Sequence, residues 1–103
     1  MLAKYSGVLL DEVTTTGASS EVGTFPFDRF SFFINAASVT TGGTVKIQTE
    51  SPNGDWVDIS ETAVSANGDT LVEKSGAYAK LRANVTARTD GTYTVSMVAR
   101  GSK

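Results

Sequence analysis

The chain has 103 residues, a formal charge of −2, a pI near 4.9 and 40% apolar residues. That is one domain with one thin core, residues 1–103. It contains no Cys and no His, which excludes disulfides, thiolate metal sites, Cys nucleophiles, the usual general base and the commonest transition-metal ligand. We therefore expect no enzyme, no cofactor and no metal. The charges are spread along the chain without a basic cluster, so no nucleic-acid partner is expected. Uninterrupted apolar runs such as Val8–Leu10 are far too short to span a membrane, and the opening MLAKYSGVLLDEV lacks the apolar core of a secretory signal.

In chain order, the first expected strand covers about 6–13. Leu2, Tyr5, Val8, Leu9 and Leu10 place apolar residues on both parities, and a polar Thr14–Ser20 stretch follows. An arm over residues 1–20 that lies on a neighbour has this pattern, and so does an ordinary first strand followed by a loop. The pair Asp11–Glu12 reads as a solvated edge.

All five Phe residues fall between Phe25 and Phe33. In the strand expected at 29–37, Phe30, Phe32, Ile34 and Ala36 alternate with Arg29, Ser31, Phe33 and Asn35, so Phe33 should face outward. Phe25 and Phe27 share the parity of Phe33, unless a bulge near Asp28 returns them to the core. An outward Phe in a strand asks for a cover. Phe33 first, Phe25 or Phe27 second, with Arg29 and Asn35 as a polar rim, are the candidate partner-binding residues, together with Leu2 and Tyr5 of the arm.

Further strands are expected at 44–50, 55–60, 69–74, 78–86 and 91–100. Val45 and Ile47, Val57 and Ile59, Ala79 to Val85, and Tyr93 to Ala99 supply their alternating inner residues. Thr41-Gly42-Gly43, Asn53-Gly54, Asn67-Gly68 and Asp90-Gly91 punctuate them as turns. Seven or eight strands and no helix predict an all-β, antiparallel two-sheet β-sandwich, with jelly-roll and Ig-like topologies both open.

Other residues have a weaker case. Trp56, Tyr78 and Tyr93 would suit a carbohydrate platform, but Trp56 fits better as a cover for a hairpin or core edge. Asn53, Asp55 and Asp58 are oxygen donors at close spacing, yet too few for an ordinary calcium loop, and they serve a turn as well. Lys80 and Arg82 form an outward stripe of the kind that guards a sheet against unwanted pairing.

The runs Gly43–Ser51, Asn53–Trp56, Gly76–Thr86 and Gly91–Val95, with the opening Met1–Gly7, resemble small β-sandwich virion proteins of tailed bacteriophages. These include capsid decoration (cement) proteins and modules of head and tail fibres. The resemblance implies a non-enzymatic virion protein, made in the host cytoplasm and bound to the major capsid protein on the outer capsid surface. It also implies a homo-oligomer, with a trimer favoured by analogy. A tail, fibre or adaptor module is the alternative, and a carbohydrate-binding β-sandwich domain the second. A chain running from Met1 to Lys103 is expected to be a separate small protein rather than a fragment of a large fibre.

Overall fold

The computed structural model describes residues 4–24, 27–76 and 78–101, with residues 4 and 5 as backbone. Among these residues, nine strands follow one another: β1 (Lys4–Val13), β2 (Gly17–Ala18), β3 (Val22–Gly23), β4 (Arg29–Ala37), β5 (Gly43–Glu50), β6 (Trp56–Val64), β7 (Gly68–Ser75), β8 (Lys80–Arg88) and β9 (Thr92–Arg100). They form a four-stranded sheet, β1-β9-β4-β7, and a five-stranded sheet in which β8, β5 and β6 follow β2, with β3 also on β8. Every pairing among the described residues is antiparallel.

The short strands β2 and β3 are two halves of one interrupted strand. Gly17 and Ala18 pair with Val85 and Asn84, and Val22 and Gly23 pair with Leu81 and Lys80. Between them Ser19 keeps the ladder closed. Its backbone N–H donates to the Ala83 carbonyl at 2.8 Å, and its Oγ accepts the Ala83 N–H at 3.0 Å. Counting that pair once, the sheets run first–eighth–third–sixth and second–seventh–fourth–fifth. That order is a jelly roll, the two-Greek-key form of the sandwich. The polar stretch after β1 is therefore partly strand, held by a side chain that substitutes for a backbone partner.

The interior follows the alternation. Phe30, Phe32, Ile34 and Ala36 of β4 meet Tyr93, Val95, Met97 and Ala99 of β9, and Val45, Ile47, Leu81, Ala83 and Val85 of the second sheet close the core. One expectation needs correction, and of the two readings of the N-terminal segment the structure shows the ordinary first strand. The mixed parity of the N-terminal segment is a bulge within a strand: the register with β9 shifts between Val8 and Leu10, so Leu9 and Leu10 both reach the interior while Val8 stays outside. Lys4–Val13 is thus an edge strand of its own sheet. Val57 shares a face with inward Thr49, yet it is 49% exposed. It lies on an edge strand that packs chiefly on β5 and overhangs the core.

One end of the sandwich is clamped by Asp90. Its carboxylate accepts the backbone N–H groups of Thr40, Thr41 and Gly42, the last at 2.7 Å. These donors, Gly42 foremost, hold the carboxyl below its ordinary value of 3.8. Gly42 has φ +107°, and a Cβ there would lie 1.7 Å from the Val64 carbonyl oxygen, so only glycine passes.

Candidate assembly surface

The outer face of the four-stranded sheet is built in rows, because antiparallel register puts one outward residue of each strand abreast. Phe33 on β4 lies opposite Ser96 on β9 and Leu71 on β7, and Ser96 lies opposite Val8 on β1. Val8, Phe33 and Leu71 are 58%, 43% and 52% exposed. Among the described residues the large exposed apolar side chains are these three and Val57, so three of them form one ridge across the sheet.

The next row is small and polar: Ser6, Val98, Ser31 and Glu73. Here an open groove of about 710 Å³ runs beside the ridge, lined by Ser31, Val98, Phe33, Arg29, Arg100 and Glu73 among others. One row further, Arg29 stands directly opposite Arg100. Like charges opposite one another repel, so this end of the face is cationic at a cost to the isolated chain. On the far side of the ridge, Asn35 donates to the Asp69 carboxylate at 2.7 Å, and the Glu12 backbone donates to Thr94 Oγ1 at 3.0 Å. Glu12 is exposed, and that end is acidic.

The outer face of the five-stranded sheet is closed on itself. The Gln48 amide donates to Asp58 Oδ1 at 2.7 Å, while its oxygen accepts from Arg82 Nε at 2.8 Å and Asn84 Nδ2 at 3.2 Å. Lys46 binds the other Asp58 oxygen at 2.9 Å. The Lys46 hydrogen bond, then Gln48, lowers the Asp58 carboxyl below its usual value. Lys80 pairs with Glu21 at 2.8 Å and Glu50 at 3.8 Å. The Arg82 guanidinium sits 4.1 Å from the Trp56 ring centroid, so one face of that ring is already stacked. Asp58, named as an oxygen donor, is taken by Lys46 and Gln48. Ser51 organises Asn53-Gly54-Asp55: its carbonyl accepts from Gly54 N and its Oγ from Asp55 N.

Of the candidate residues, Phe33, Arg29 and Asn35 share the outer face as parity requires. Phe27 does not join them. It precedes β4, its N–H on the Thr24 carbonyl at 2.6 Å, and packs against the core. Strand parity ends at Arg29 and does not reach it. Tyr5 is on β1 opposite Ala99. Phe25 and Leu2 lie outside the described residues. Val8 and Leu71 were missed because nothing local marks them. Only the cross-strand register aligns them with Phe33.

No family model matches the chain, and no curated protein matches it. Its fold is similar to that of an SPBc2 prophage-derived protein, YomS, at a TM-score of 0.77 and 14% identity, covering 98% of this chain and 96% of that one. It is also similar, at a TM-score of 0.50 and 12% identity, to a chain of the Bacillus endospore appendages described as disulfide-linked pili, covering 97% and 87%. At these identities the likeness is one of fold.

Proposed function

We propose that this protein is a non-enzymatic structural component of a phage virion, a capsid decoration protein that adds to the shell of major capsid protein on its outer surface. The observation that carries the reading is the jelly-roll fold, shared along 98% of this chain with a prophage-derived protein. A protein that binds only the assembled shell shifts the assembly equilibrium by mass action, with no chemistry required.

Quantifying the protein in purified particles tests the reading. Copies comparable in number to the shell subunits are the expected result. A few copies per particle would make it a tail, fibre or adaptor module. Its absence from particles would overturn both.

A further inference from the structure

The ridge and the groove belong to the same face, one row apart. We propose that a second copy of this chain covers that face, in a twofold dimer whose axis runs across the strands between the Phe33 row and the Ser31 row. This inference is independent of where the protein sits in a particle.

Three observations fix the occupant. The first is shape. A twofold axis at that position turns the strands antiparallel and lays each ridge over the partner's groove. Phe33 of one copy then enters the groove over Ser31 and Val98 of the other, and the reverse happens at the symmetric site.

The second is charge. The same operation carries the Arg29–Arg100 end over the partner's acidic end. Arg29 comes over Asn35 and Asp69, and Arg100 over Thr94 and Glu12. The arginine pair that repels within one chain thereby gains carboxylates from the other. A threefold arrangement does not superpose these ends. Glu73, also on this face, comes over the partner's Leu71 at the sheet edge, where it keeps contact with water.

The third is area. Under this axis seven residues of each strand overlap (29–35, 94–100, 4–10 and 69–75), and four strands about 4.8 Å apart at about 3.3 Å per residue give a shared face of roughly 440 Å². Two such faces bury about 900 Å², below the standard size and in the range of weak, transient interfaces. The dimer is accordingly a weak, concentration-dependent one.

The experiment is sedimentation of the purified chain across a concentration series, with Arg29→Asp and Asp69→Arg alone and mixed. The wild type should rise from the mass of one chain to that of two. Each variant alone sets like charges against each other at both symmetric contacts and should stay a single chain. An equimolar mixture should dimerise again. In the mixed pair the two substituted side chains meet with opposite charges at one contact, and the native Arg29 meets the native Asp69 at the other. Phe33→Ser should stay single in every mixture, and near-UV circular dichroism shows whether each variant is folded. A wild type that remains one chain at all concentrations, or reaches three, would overturn the inference. So would variants that dimerise as the wild type does, or a mixture that fails to recover. A single-chain wild type with full occupancy on particles would sink the dimer and leave the virion reading standing.

Discussion

On the five-stranded sheet, Gln48 is outward-facing yet nearly buried, because Asp58, Arg82 and Asn84 consume its amide and Trp56 stacks under Arg82. On the four-stranded sheet, Phe33 is also outward-facing, and among the described residues nothing comparable surrounds it. Both positions sit mid-strand on the solvent side of the same sandwich. One face has finished its interactions within the chain. The other leaves apolar side chains and a facing pair of arginines exposed. A polar side chain on an outer face is thus no sign of a binding site, and the face proposed for assembly is the one with fewer internal contacts.

The comparison holds only if both faces rest on one shared core. Phe32→Ala and Leu81→Ala remove fully buried side chains from opposite sheets. Each should cost about 3–5 kcal/mol by denaturant unfolding, in a single transition. If one change left a separate stable transition, the two sheets would be independent and their faces not comparable.

Breaking the closed face comes next. Gln48→Ala strands the Arg82, Asn84 and Asp58 partners in part, and should lower stability by about 1–3 kcal/mol. It should leave the association of copies unchanged in sedimentation. A variant as stable as the wild type would show that the network is decorative.

Acid should separate the faces as well. Asp58 and Asp90 both have carboxyls held low in the fold, by Lys46 and Gln48 and by the Gly42, Thr41 and Thr40 amides respectively. A depressed carboxyl stabilises the fold above its unfolded value of 3.8, and that contribution is lost as pH falls through the folded value. The melting temperature should therefore drop on acidification below 3.8, and the drop should be shallower in Asp58→Asn and in Asp90→Asn. An equally steep drop in both variants would remove these two groups as the cause.

The smallest effect on stability belongs to the open face. Phe33→Ser should cost about 1 kcal/mol, well below Phe32→Ala, since 43% of Phe33 is exposed whereas Phe32 is wholly buried. A cost like that of Phe32→Ala would mean that the ridge is part of the fold rather than a surface.

Much of this was legible in the residues. The strand expected at 29–37 is Arg29–Ala37, and Phe33 faces out, because alternation is a backbone property that any sequence displays. The rest depended on events alternation cannot report. Ser19 replaces a backbone partner and so hides a strand inside a polar stretch. A bulge after Val8 makes two consecutive leucines inward. Phe27 lies before the strand begins, where parity has no meaning. The ridge itself needed register: Val8 and Leu71 are far from Phe33 in sequence and abreast of it only once β9 and β7 have paired with β4.

The place of β9 between β1 and β4 has a consequence for how the chain is made. One of the two inner strands of that sheet is the last strand of the fold to be made. Until Thr92–Arg100 emerges, β1 lacks the strand it pairs with and β4 has only β7. The four-stranded sheet therefore closes late and through non-local pairing, and until it does one edge of the Phe-rich strand is unpaired, the condition that favours aggregation.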